Sequence, residues 1–296
     1  MAIRVTQNMM NSTMMRNYYN SMGQLDRYNE QLSSGKKISR PSQDPVVAVM
    51  GMSYRTQLNK NDQYLRNASQ AQTWLDTADT AMNEVGNVLH RLNELVLQSA
   101  SDTMSPSDRQ AMESEVIELK NQLGEIANQT VNGRYIFAGT DTTKAPYDKN
   151  AGDYTSTNFS EFTVEVGQGI YIPINVNGQE IFNKSINGNT IFKLMDNIIN
   201  DLHNGNSADG HLDEVSQHMD NVLKQRATLG ARVNRMELVT ERLESSGLNI
   251  TKAMSENEDA DMAAVITNLK TQENIHRAAL GSGARIIQTT LLDFLR

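Results

Sequence analysis

LDTADTAMNEVGNVLHRLNELV, residues 75–96, decides the fold. Its apolar residues Leu75, Ala78, Met82, Val85, Leu89, Leu92 and Val96 follow one another in alternating steps of three and four. That spacing holds one stripe on one side of an α-helix and is the signature of a coiled-coil seam. Working outward, no proline interrupts the chain from about 46 to 101, so a single helix there would approach roughly 80 Å at 1.5 Å per residue. A second seam runs Met112, Val116, Leu119, Leu123 and Ile126, behind a start at which Ser105 can cap and Pro106 takes the first helical position. A third runs Leu212, Val215, Met219, Val222, Arg226, Leu229, Val233, Met236, Thr240 and Leu243, with two polar residues that keep the register. The expected fold is mainly α, an elongated coiled-coil-like rod.

The character changes between about 134 and 192, where nine of the sixteen aromatic residues lie. FTVEV and IYIPINV flank GQG, and Asn-Gly pairs occur at 177 and 187. Alternating β-branched residues with Asn-Gly turns predict hairpins. A small β-rich insert therefore interrupts the helices, and an ordinary aromatic core accounts for its composition more simply than a binding face.

Both ends carry narrower stripes: Met15, Tyr18, Met22, Leu25 and Leu32, then Leu280, Ala284, Ile287, Leu291 and Phe294. Gly281 and Gly283 each cost the last stripe about 1 kcal/mol of helix propensity relative to Ala. A short amphipathic helix without a partner is marginal in water. The terminal helices are therefore expected to order only against each other or against neighbouring subunits. Between the first stripe and the long helix stands SSGKKISRPSQDP, residues 33–45. A nucleotide loop would need Gly five residues before the Gly-Lys pair and Ser or Thr after it, where Glu30 and Lys37 stand. The segment is instead a joint. Gly35 can close the first helix in a left-handed cap, Pro41 and Pro45 keep the preceding residues out of helical geometry, and Ser42 or Asp44 can cap the long helix.

The reading divides the chain into an N-terminal assembly helix (1–40), an N-terminal part of the rod (41–140), the insert (141–190), a C-terminal part of the rod (191–255) and a C-terminal assembly helix (256–296). Net charge is −8, which argues against a general nucleic-acid binder. It is uneven: residues 1–40 carry +4 and residues 255–296 carry −2. With no Cys there is no disulfide, thiolate metal site or cysteine nucleophile. No apolar run suits a secretory signal or a membrane span. The five histidines form no metal motif, and His211 and His218, seven apart, read as solvent-facing. The acidic run ENEDAD, 256–261, lacks the Gly and final Glu of a calcium loop and suits the first turn of the last helix. No catalytic constellation, cofactor or metal site is expected.

SSGKKISRPSQDP, LHRLNELVLQSAS (89–101), NGRYIFAGT (132–140), LGARVNRME (229–237) and the tail from ENEDAD to TTLLDFLR together resemble the flagellin superfamily, and within it the branch of hook-associated junction subunits. The likeness covers roughly the first 140 and last 90 residues. RPSQDPVVAVM stands where filament flagellins tend to have Ala-Lys-Asp-Asp-Ala-Ala-Gly, and Gln43 stands where the junction branch often has a second Asp. The resemblance implies a non-enzymatic structural adaptor joining the bacterial flagellar hook to the filament, exported unfolded through the flagellar type III channel without a cleavable signal peptide. It implies as partners a hook-side junction protein, flagellin, further copies of this chain in a ring or polymer layer and an export chaperone of the FlgN type, with no nucleic acid and no membrane. The terminal stripes would be its assembly interface, and Gly35, Pro41, Asp44 and Pro45 its joint. The alternatives are a filament flagellin and a surface-binding module acting through the insert.

Overall fold

In chain order the helices are α1 (Gln7–Ser34), α2 (Pro45–Ser99), α3 (Pro106–Ala127), α4 (Gly178–Phe182), α5 (Ile191–His203), α6 (Leu212–Glu258) and α7 (Met262–Asp293). Between α3 and α4 lie the strands β1 (Thr130–Val131), β2 (Arg134–Tyr135), β3 (Tyr147–Asp148), β4 (Asp153–Tyr154), β5 (Thr163–Gly167) and β6 (Ile170–Pro173). The structure, a computed structural model, describes residues 7–101 and 104–293, of which 7, 8 and 285–293 as backbone alone. The chain forms two compact units, one from residues up to 60 with those from 247 onward, the other from residues 61–246.

In the second unit the seam of α2 is buried from Leu75 to Val96. It is wider than its three-four spacing requires. Trp74, Ala81, Val88 and Leu95, each one residue before a seam position and seven apart, are buried as well. The added row gives α2 a face for two neighbours. Arg91 reaches Glu115 of α3 at 2.6 Å. On the other side Arg226 of α6 holds both carboxylate oxygens of Asp79, at 2.8 and 3.1 Å. Along α6 the buried residues Val215, Val222, Leu229, Met236 and Leu243 recur every seven positions, a heptad seam. Start signals act as the chemistry dictates: Ser105 and Asp108 form a reciprocal capping box at the first turn of α3, with Pro106 behind the cap.

The insert contains three two-stranded antiparallel sheets, β1–β2, β3–β4 and β5–β6, among the described residues. Two turns of left-handed backbone close tight reversals, Asn132-Gly133 between β1 and β2 and Asn187-Gly188 between Ile186 and Asn189. The Asn177-Gly178 pair is not a hairpin turn. The Asn177 side chain accepts from the Gln179 N–H and caps α4, so the same residue pair starts a helix. A Cβ on Gly178 would lie 2.2 Å from the Tyr154 hydroxyl, so this N1 position admits no side chain.

Aromatic rings fill the insert's core. Phe137 meets Phe182 edge to face at 5.3 Å, Tyr154 stacks on Phe182 at 5.5 Å and Tyr147 lies 4.9 Å from Phe192. The Tyr154 hydroxyl donates to the Phe137 carbonyl at 2.6 Å, and burial pushes its pKa up to about 12. His218 departs from the solvent-facing expectation. It is fully buried on α6, because residues 215, 218 and 222 share the helix side that faces the core.

Candidate functional site: the paired terminal helices and their joint

The first unit brings the two ends of the chain together. Apart from Glu30 and Gln31 beside the joint and Glu273, the shielded residues are Met14, Tyr18, Ser21, Leu25, Tyr28 and Leu32 on α1 and Val265, Leu269, Gln272, His276, Ala279 and Gly283 on α7. Both sets step by four and three in alternation, the spacing of two packed seams. The contacts run antiparallel. Ser21 accepts from Gln272 Nε2 at 3.1 Å and lies 3.3 Å from His276 Nδ1, the Tyr18 and His276 rings are 5.1 Å apart, and Met14 meets Gly283. A Cβ on Gly283 would fall 1.9 Å from Met14 Cε, so the end of the Met14 side chain fills the space that the missing side chain leaves. Next to this contact Met9, Met10, Thr13, Met14, Ala279 and Ser282 line a cavity of about 390 Å³.

The residues singled out from sequence divide between two faces. Tyr18, Leu25 and Leu32 are half-buried in the α1–α7 seam, whereas Met15 and Met22 (each 48 % exposed), Leu280 (47 %) and Ala284 point away from it. Ile287 and Leu291 fall on the backbone of α7 with side chains outside the described residues, and Phe294 lies outside them altogether. The α7 seam was not legible as a stripe because Gln272, His276 and Gly283 occupy half of it. Its only apolar signal is Val265, Leu269 and Ala279.

The joint is held on both sides. Gly35 closes α1 at φ +70°, its N–H donating to Gln31 O at 2.9 Å. Asp44 caps α2, its Oδ1 accepting from the N–H groups of Val46 at 3.0 Å and Val47 at 3.2 Å, with Pro45 in the first helical position. Pro41 lies in the turn between them. Gln43 is part of this knot: it donates to Glu30 Oε2 at 3.1 Å and accepts from the Ser39 N–H at 2.8 Å. Hydrogen bonds from Ser39 and Gln43, with the Arg40 guanidinium, hold the Glu30 carboxyl below its usual range.

Facing the joint, the acidic run does two jobs. Asp261 caps α7, accepting from the N–H groups of Ala263 and Ala264 at 3.0 and 3.1 Å. Glu258 and Asp259 instead clamp the joint. Lys36 and Asp259 pair as an isolated β-bridge, Lys37 N–H donates to Glu258 O at 2.7 Å, and Ala260 N–H donates to Gly35 O at 2.8 Å. Lys36 Nζ reaches Asp259 at 2.6 Å, and that contact with the Ser255 hydroxyl lowers the Asp259 pKa. The buried Glu258 carboxylate accepts from Arg55 Nη2 at 2.6 Å. Gly51 makes room for it, since a Cβ there would sit 1.9 Å from Glu258 Oε1. Sequence reasoning missed Gly51 and Arg55, which lie some 200 positions from Glu258 and share no local pattern with it, and it assigned Glu258 to the first turn of the last helix, whereas Glu258 ends α6. Among the described residues no group of three or more His, Asp or Glu could hold a metal ion, and no helix is long and apolar enough to cross a membrane.

Two helical ends that find each other across the whole length of a chain, with a folded insert between them, define a class. Residues 5–142 match the bacterial flagellin N-terminal helical region and residues 212–295 the bacterial flagellin C-terminal helical region, and the chain belongs to the flagellin superfamily. Within it, the chain is 27 % identical to flagellar hook-associated protein 3 of Escherichia coli K12, an alignment covering 94 % of this chain and 95 % of that protein. It is 28 % identical to the flagellin of Bacillus subtilis 168 over a smaller share, 83 % of each. The flagellar junction protein FlgL of Legionella pneumophila shares the fold, with a TM-score of 0.58 over 71 % of this chain and 100 % of that one, at 16 % identity. This is a flagellar structural protein, and its insert lies largely outside the two matched regions.

Proposed function

We propose that this chain is the structural adaptor that joins the flagellar hook to the filament, acting outside the cell and without enzymatic activity. The observation that carries the assembly role is the α1–α7 pair, whose inner seam is satisfied within the chain while Met15, Met22 and Leu280 stay exposed. Apolar side chains left in water by a paired helix are stabilised by covering them, and neighbouring subunits supply the cover. The near full-length similarity to hook-associated protein 3 favours the junction over the filament. The partners on this reading are a hook-side junction protein, flagellin, and further copies of the chain. The chain is exported unfolded through the type III channel with no cleavable signal, accompanied by a FlgN-type chaperone that covers the Leu280, Ile287, Leu291 and Phe294 stripe. The two ends order against each other, and burial of their outer faces against neighbours then offsets the entropy of holding the pair in place.

Deleting the gene tests the role. Hooks without filaments, with flagellin shed into the medium as monomer, is the expected result, and normal filaments would refute it. A filament subunit would instead polymerise into long filaments on its own when purified. Ile287→Asp, a charge in the middle of the last stripe, is expected to impair chaperone binding or assembly while the helices between 46 and 250 stay folded.

A further inference from the structure

Away from the terminal helices, the insert and α6 enclose a cavity of about 110 Å³ lined in part by Phe159, Glu161, Asn175, Gln225, Thr228 and Arg232. We propose that this cavity binds the edge of a neutral pyranose ring, with Phe159 as the platform for the ring's face. A water needs about 10–15 Å³, so the cavity has room for several and is polar enough to hold them. A ligand whose hydroxyls replace those waters keeps their hydrogen bonds.

The side chains offer the planar polar groups that grip adjacent hydroxyls. Arg232 is fixed by donating from Nη1 to the Asn175 carbonyl at 2.7 Å, while its Nη2 stands 3.8 Å from Glu161 Oε1. That gap is too long for a hydrogen bond, and one hydroxyl, donating to the carboxylate and accepting from the guanidinium, would bridge it. Gln225 adds an amide that makes no hydrogen bond among the described residues. Arginine and glutamate cancel in charge, which favours a neutral sugar over an anion.

Phe159 is 62 % exposed although the segment around it is fixed. Asn158 Nδ2 donates to Thr140 Oγ1 at 2.8 Å, and Asn175 Nδ2 donates to the Ser160 carbonyl at 3.1 Å. The chain therefore holds an aromatic ring in water beside a polar cavity, where the ring contributes nothing to the core. An aromatic face beside convergent polar groups is the arrangement a sugar's apolar C–H face and hydroxyl edge require. A platform whose flanking residues are already anchored loses less entropy on binding than one on a free loop.

The test is titration of the full-length protein with glucose, galactose, mannose and N-acetylglucosamine, followed by saturation-transfer NMR. At least one sugar is expected to saturate with a dissociation constant in the millimolar range. Phe159→Ala and Gln225→Ala, both at solvent-accessible positions, are each expected to weaken it about tenfold with unchanged thermal melting. No saturable binding by any of the four sugars, or binding that both variants leave intact, would overturn the assignment.

Discussion

His218 lies at 0 % exposure on α6, and neither ring nitrogen has a hydrogen-bond partner among the described residues. Desolvation by burial lowers its pKa to about 4, with Glu214 pulling upward and Lys184 downward. In the unfolded chain the same ring titrates near 6.5. Between those values the unfolded state binds the proton and the folded state does not, so stability is fully present above pH 6.5 and is lost as pH falls toward 4. The loss attributable to this one ring is on the order of 2–3 kcal/mol. Urea unfolding at pH 7.5 and pH 4.5 measures it: His218→Leu, of similar bulk and without the proton site, is expected to lose less stability across that interval than the natural protein by about this amount. Equal losses in the two proteins would mean that the ring finds a partner in solution.

Helix seams and the clamp carry the next level. On α6, Leu229 is buried in the heptad row and Arg226 pairs with Asp79 while both remain more than a third exposed. Leu229→Ala is expected to cost about 2–5 kcal/mol through its cavity, and Arg226→Met less than about 1 kcal/mol, because an exposed ion pair stabilises little; chemical unfolding of the two variants checks the contrast. At the clamp the sign is informative. Gly51→Ala in an unobstructed helix would stabilise by about 1 kcal/mol, but here the methyl displaces Glu258 from Arg55, and the variant is expected to melt lower than the natural protein. Combining it with Glu258→Ala should remove most of the clash, so the two changes are non-additive. The long seams were legible because each alternates three and four over several turns, and the caps at Ser105 and Gly35, with Asp44 as one of two candidates beside Ser42, because capping chemistry is local. The second row of α2 was not, since Trp74, Ala81, Val88 and Leu95 become core only once a second helix arrives. The α7 seam hid behind polar residues, Asn177 chose a cap over a turn, and His218 was buried by neighbours distant in sequence.

At the scale of the molecule, the proposed assembly role gives the two faces of the terminal helices different work: the inner seam holds the pair, and the outer face would meet neighbouring subunits. Tyr18 and Gly283 belong to the inner seam, Met15 and Met22 to the outer face. A charge on the outer face leaves the seam intact and meets only water in the isolated chain, but within an assembled layer it would be buried without a partner, at a cost of several kcal/mol per subunit. A bulky side chain at Gly283 does the reverse: it takes the space that Met14 fills in the seam and loosens that packing before any neighbour arrives. Met15→Asp with Met22→Asp is therefore expected to retain the helix content of the natural protein by circular dichroism yet fail to restore filaments in a deletion strain, with flagellin shed into the medium. Gly283→Val is expected to lower amide-exchange protection in α1 and α7 in the purified chain, and to impair filament attachment as a consequence. If the double aspartate variant instead restores filaments in natural number, the outer stripe is not the interface, and the neighbouring subunit must be met by the seam itself, opened and re-paired between chains.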